Sequence, residues 1–211
     1  MRGAALAIGF AVLLALWGAM LPFADRASFS IHMIVHMGVV ACAAPLLAVG
    51  LTGSRYDLTT RWHWLTPVIA SLIELAAVWG WHLPVARALA EGSWTVTVLE
   101  QATFLVAGLL LWLSCLGGAL DGREGRRLAG TFGLLFTSMH MTLLGALLAL
   151  SPRPLYGQSD VSCFGIPLTA VVDQQAGGVV MLLVGAVVYL AGGVALLATS
   201  LTSHATSGGQ T

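Results

Sequence analysis

Six runs of predominantly apolar residues, 3–21, 32–51, 64–81, 95–117, 128–150 and 175–197, punctuate the chain. Crossing about 30 Å of hydrocarbon at about 1.5 Å per residue takes about 20 residues, and each run is near that length. The runs are continuous rather than alternating. They therefore read as helices, which pair every backbone group within themselves, and not as barrel strands. The connections are short and polar, apart from a longer one over 151–174, and residues 202–211 form a tail rich in Ser, Thr and Gly. The pattern predicts one domain over residues 1–211, an all-α polytopic membrane helix bundle of about six transmembrane helices.

Composition supports that setting. The chain is 58% hydrophobic and 9% charged, with a mean hydropathy of +0.90, whereas a soluble domain is about 25% charged. Its net charge is zero and every basic residue is arginine, so no nucleic-acid partner is expected. Counting arginines on alternate sides sets Arg2, Arg55, Arg61, Arg123, Arg126 and Arg127 against Arg26, Arg87 and Arg153. Cytoplasmic loops keep positive charge, so both termini are expected in the cytoplasm. Arg2, the first run and the small residues at 24–28 also fit a signal peptide. The long apolar core favours a retained span; cleavage would leave five helices in the same topology.

Polar side chains inside such runs are functional candidates because burying them in hydrocarbon is costly. His32 and His36 open the second run from outside, His82 closes the third, Glu100 lies near the outer start of the fourth, and Asp173 begins the sixth. His140 lies ten residues before Leu150, about 15 Å deeper on a straight helix. Residues four apart share a helix face, so His32 and His36 can reach one metal ion, and Met33 and Met37 repeat the spacing. Imidazole suits copper, zinc and iron, while thioether sulfur prefers Cu(I). The expected ligands are His32 and His36, completed by His140 and by Met37 or Met141, with His82 a further candidate. Glu100 and Asp173 would orient imidazoles or handle protons.

Each feature also has a plainer reading. Methionine in a membrane helix is ordinarily packing. Trp79 and Trp81 fit an interfacial belt that would leave His82 solvated, with Pro84 stopping the helix. Asp173 fits an N-cap, and Gly177, Gly178, Gly192 and Gly193 fit close helix approach within or between chains. Glu74 fits an interhelical hydrogen bond. Cys42, Cys115 and Cys163 lack CxxC spacing. No nucleophile with an adjacent general base is apparent, so an enzyme is not expected.

Taken in order, several groups of residues carry a resemblance. They are His32 to His36 with Ala44, Pro45, Leu46, Leu47 and Gly50; Trp81, His82 and Pro84; Leu99 and Glu100; His140 with Ser151, Pro154, Leu155 and Tyr156; and Asp173, Gln174, Gly177 and Gly178. From about His32 to Gly193 the chain resembles the multi-spanning CtaG-type cytochrome c oxidase assembly family of bacterial integral membrane proteins. The single-span copper chaperone that shares the name is a different protein. Members often have more spans than the six runs here. The resemblance implies a role in maturing a haem-copper terminal oxidase by handling copper on the outer side of the cytoplasmic membrane. Its partners would be oxidase subunits, membrane lipid and a periplasmic copper chaperone. The family's recurring polar positions would be His32, His36, His82, Glu100, His140 and Asp173. Two other classes remain open: a b-type haem electron-transfer protein, since histidines on facing helices also ligate haem, and a structural accessory subunit of an oxidase.

Overall fold

The computed structural model describes residues 1–23, 25–62, 64–117, 123–157 and 159–208. Ala24, in the candidate cleavage segment, and residues 209–211 of the expected tail lie outside the described residues. The chain forms α1 (Arg2–Met20), α2 (Phe29–Leu51), α3 (Pro67–Trp81), α4 (Pro84–Gly92), α5 (Trp94–Leu116), α6 (Arg123–Ala149) and α7 (Ala170–Gly208). Five are long and apolar enough to cross a membrane, and α3 with α4, bent by 72°, makes a sixth if the pair is one span. The protein is an all-α membrane bundle, to which residues 161–168 add one small hairpin.

Local chemistry sets the boundaries. Thr66 accepts from the Ile69 N–H and Pro67 takes the first position of α3, so the run expected from 64 starts three residues late. Leu83, held extended before Pro84, ends α3. α7 was expected to stop at 197 where the chain turns polar, but it continues to Gly208. The Ser200 and Thr202 hydroxyls bond the Leu196 and Ala198 carbonyls of their own helix, so these residues need no water to stay helical.

α2 is wound differently in its middle. Over Gly38–Ala43 it widens, and the Ala44 N–H reaches back five residues to Val39. In that register the Val40 carbonyl would pair with residue 45, which is Pro45 and has no N–H. Its place is taken by Trp112 Nε1 at 3.2 Å from α5 and the Tyr189 hydroxyl at 3.4 Å from α7. A helix break in mid-membrane is thus satisfied by two neighbours.

Small residues let the helices close on one another. α1 lies against α2, where Gly50 faces Leu6 and Gly9 faces Leu47. α6 and α7 are closest at Gly145 and Gly178, where an added Cβ would meet Leu182 N at 2.7 Å and Ala149 N at 2.5 Å respectively. Gly177 faces Phe29 and Gly192 faces Trp112, so these glycines serve packing within the chain. Elements run alternately up and down, and the starts of α2, α5 and α7 meet the ends of α3 and α6 at one end of the bundle. The connection after α6 carries strands β1 (Val161–Cys163) and β2 (Ile166–Leu168), antiparallel with Ser162 opposite Pro167. Phe164 and Gly165, both at positive φ, form the two-residue turn.

Gly178→Val should destabilise the protein by about 1–3 kcal/mol, because backbone atoms cannot yield to the new side chain. Gly80→Ala, with nothing within 4 Å of the new methyl, should stabilise by about 0.5–1 kcal/mol. Thermal unfolding in detergent compares the two.

Candidate metal-handling site

The site begins at the first turn of α2. Ser28 caps the helix by accepting from the Ile31 N–H, and the Asp173 carboxylate, one turn into α7, takes the remaining donors. It accepts the Phe29 and Ser30 N–H groups at 2.5 and 3.2 Å, the Ser28 hydroxyl at 2.9 Å, and the Ser30 hydroxyl. A negative group here meets the free N–H groups and the positive end of the helix dipole. Gln174 works beside it, accepting the Leu155 N–H and donating to the Leu148 carbonyl at the end of α6.

With α2 docked this way, its two spaced pairs face different neighbours. Met33 and Met37 point at α7: an added Cβ at Gly177 would meet Met33 at 3.0 Å, and one at Gly185 would meet Met141 at 3.0 Å and Met37 at 3.7 Å. His32 and His36 point at α3 and α5. Their ring centroids are 6.3 Å apart, and His82 joins them at 5.9 Å from His32 and 5.5 Å from His36. Phe104 packs 4.0 Å from His36. Phe29, stacked on Tyr156 at 4.4 Å, closes the outer side.

The hydrogen bonds specify how the imidazoles are presented. His82 Nδ1 lies 2.6 Å from the Val78 carbonyl. A carbonyl only accepts, so Nδ1 carries the proton and neutral His82 offers its Nε2 lone pair. The Tyr156 hydroxyl donates to the His82 carbonyl at 2.7 Å. Burial pushes this phenol up to about 12, so it remains a donor through the neutral range. His32 Nδ1 lies 3.7 Å from a Glu100 carboxylate oxygen. Both nitrogens of His36, Nε2 of His32, Nε2 of His82 and both Glu100 oxygens are buried without a hydrogen-bond partner. Buried polar groups are normally paired, so this concentration of unused lone pairs marks the site.

Beside His32 a cleft of about 20 Å³ runs past Glu100, Arg87, Thr97 and Arg26. Arg87 is 4% exposed; it pairs with Glu91 at 3.2 Å and donates to the Arg26 carbonyl at 2.7 Å. Arg26 donates to the Ala90 carbonyl and to Thr97 Oγ1, both at 2.6 Å.

Ligands bound at about 2.0–2.1 Å in a tetrahedron put imidazole centroids about 5.2 Å apart, slightly closer than the three rings stand. Among the described residues no group of three or more His, Cys, Asp or Glu side chains is placed so that it could hold a metal ion. The chemistry of the cluster, three imidazoles beside one carboxylate, is that of a borderline-ion donor set.

Residues 1–203 match the family model described as cytochrome c oxidase caa3 assembly factor (Caa3_CtaG). The chain belongs to this family. No curated protein and no solved structure matches it. The caa3 assembly-factor match extends beyond the resemblance traced from His32 to Gly193 and takes in α1 as well.

Within this assembly factor, the residues singled out by sequence fall in three places. His32, His36, His82 and Glu100 come together. Asp173 holds the start of α2 instead of facing an imidazole. His140 stands apart, 3% exposed, its ring 5.6 Å from Phe136 and both nitrogens unpartnered, with no ring contact to the other three histidines. Met37 and Met141 pack at Gly185, and Met139 is 60% exposed. Glu74 takes an interhelical hydrogen bond from Tyr189 at 2.7 Å. Sequence reading misses Thr97, takes Arg26 and Arg87 only as loop charges, and meets Tyr156 only as part of the family resemblance, without a role at the site. The signal for Arg87 was present: an arginine within an apolar stretch, with Glu91 four residues on.

Asp173→Ala should destabilise the protein by roughly 2–4 kcal/mol, leaving two N–H groups of α2 unpaired in the interior. Asp173→Asn should lose less, because its carbonyl still accepts. Chemical or thermal denaturation in detergent measures both.

Proposed function

We propose that this protein matures a haem-copper oxidase in the bacterial cytoplasmic membrane by holding Cu(I) at His32, His36 and His82 and passing it to an oxidase subunit. The observation that carries this reading is the grouping of three buried imidazoles, centroids 5.5–6.3 Å apart, with four of their nitrogens unpartnered. Imidazole is a good ligand for copper, and a buried cluster excludes competing water. Glu100 beside His32 supplies a negative charge that offsets an arriving cation. His140, Met37 and Met141 are left as later stations or as packing. The ion is cargo, so the protein acts as a non-enzymatic factor.

With both termini in the cytoplasm, as the arginine count indicates, the histidines face outward. A periplasmic copper chaperone could then deliver the ion. A haem would need far more room than the cleft of about 20 Å³ beside His32, which argues for a bare ion over a b-type haem.

Purified protein loaded with Cu(I) under reducing conditions should hold about one copper per chain, and His32→Ala with His36→Ala should lose nearly all of it, since both metal-facing groups are removed. Metal analysis and the visible spectrum give the answer. No copper in either sample would leave a structural accessory subunit, and a Soret band with iron would return the haem reading.

A further inference from the structure

Two spaces meet at the outer end of the bundle. The larger, about 490 Å³, lies between the end of α1 and the hairpin and is lined by Met20, Phe23, Asp25, Ile31, Ser162 and Phe164. The smaller is the cleft of about 20 Å³ that ends at His32 and Glu100. Asp25 and Ile31 line both, so the first is a vestibule and the second its neck. The Asp25 carboxylate accepts the Ser162 N–H of β1 and the Ala27 N–H, both at 3.0 Å, which ties the hairpin to the rim of the neck.

The neck is stitched shut from both sides. Arg26, on the connection before α2, donates across it to the Ala90 carbonyl at the end of α4 and to Thr97 in α5. Arg87, in α4, donates back to the Arg26 carbonyl. The Arg26 guanidinium also lies over the Trp94 ring at 4.7 Å. A water molecule needs about 10–15 Å³, so the closed neck has room for one water and not for a hydrated ion or its carrier. Asp25 and Glu100 line the neck as well, and Arg87 is paired with Glu91, so the barrier is one of size and hydrogen bonding and not of net charge.

We propose that the vestibule is the way in to the histidines and that the reciprocal Arg26 and Arg87 hydrogen bonds are its gate. Cargo enters when Arg26 lets go of Ala90 and Thr97 and Arg87 lets go of the Arg26 carbonyl, which together separate the connection before α2 from the α4–α5 corner. Free cations are held out, and admission depends on a partner that competes for Arg26. This inference rests on the copper-holding reading, but its test does not require copper to bind.

Diethyl pyrocarbonate modifies accessible imidazole, and mass spectrometry of peptides gives separate rates for His32 and His140 in the full-length detergent-solubilised protein. Arg26→Gln removes the gating guanidinium; Thr97→Val keeps it and removes one acceptor. Both should raise the His32 rate, by at least roughly tenfold for Arg26→Gln, which loses two charge-assisted hydrogen bonds, each worth about that factor or more, while the His140 rate stays as it is. Adding Ser162→Trp to Arg26→Gln should slow His32 again by crowding the vestibule. The gate is refuted if His32 reacts equally fast in the unaltered protein, or if His140 accelerates in parallel and so reports general loosening. The vestibule route is refuted if Ser162→Trp leaves the Arg26→Gln rate unchanged. Failure of copper loading with these rates as expected would overturn the copper reading and leave the gate standing.

Discussion

The Asp173 carboxylate grips the free N–H groups of the first turn of α2, and the rotation of that helix about its axis follows from the grip. A helix end buried without partners is costly, since its donors have no water to turn to. Asp173 removes that cost from another helix, so the same contact joins α7 to α2. Once α2 is set, the four-residue spacing carries two consequences at once. The methionines fill the seam with α7, and the histidines are delivered to α3 and α5. Turning α2 by one residue, about 100°, would exchange these faces and scatter the cluster.

Two kinds of buried polar group coexist in this bundle. One kind is satisfied across helices: Tyr189 reaches both Glu74 and the Val40 carbonyl left over by Pro45, and Trp112 shares that carbonyl. These contacts hold α2, α3, α5 and α7 together around a break in α2. The other kind, at His32, His36, His82 and Glu100, is left unsatisfied. Stability alone would not select such a set, because each unpaired group weakens the fold. Unpartnered groups also occur deeper, at Glu74 Oε2, Thr137 and His140; what sets the level of the three histidines apart is that three imidazoles and a carboxylate share one place.

Much of the architecture was legible as pattern. Runs of apolar residues locate helices in lipid well, and the runs at 95–117 and 128–150 match α5 and α6 to within a few residues apart from the start of α6. Pattern is weaker where polar residues satisfy themselves, as in the extension of α7, and where proline acts, as at α2 and the α3–α4 bend. For the site, the spacing of His32 and His36 was readable because it lies on one helix. The choice of His82 over His140 as their neighbour depends on how helices pack, which spacing within single segments does not encode. Asp173 reads from sequence as the cap of its own helix, but α7 already starts at Ala170; the end it caps is that of α2, and its partner Ser28 is 145 residues away in sequence.

α3 has only 15 residues, about 22 Å of helix, and α4 turns away from it by 72°. A span that falls short of the hydrocarbon thickness makes the bilayer thin around it or draws its polar flank inward. His82 caps the end of that short helix, at the level where the starts of α2, α5 and α7 meet. The cluster is therefore fully buried in the protein and yet close to one end of the bundle, where the chain turns from α3 into α4.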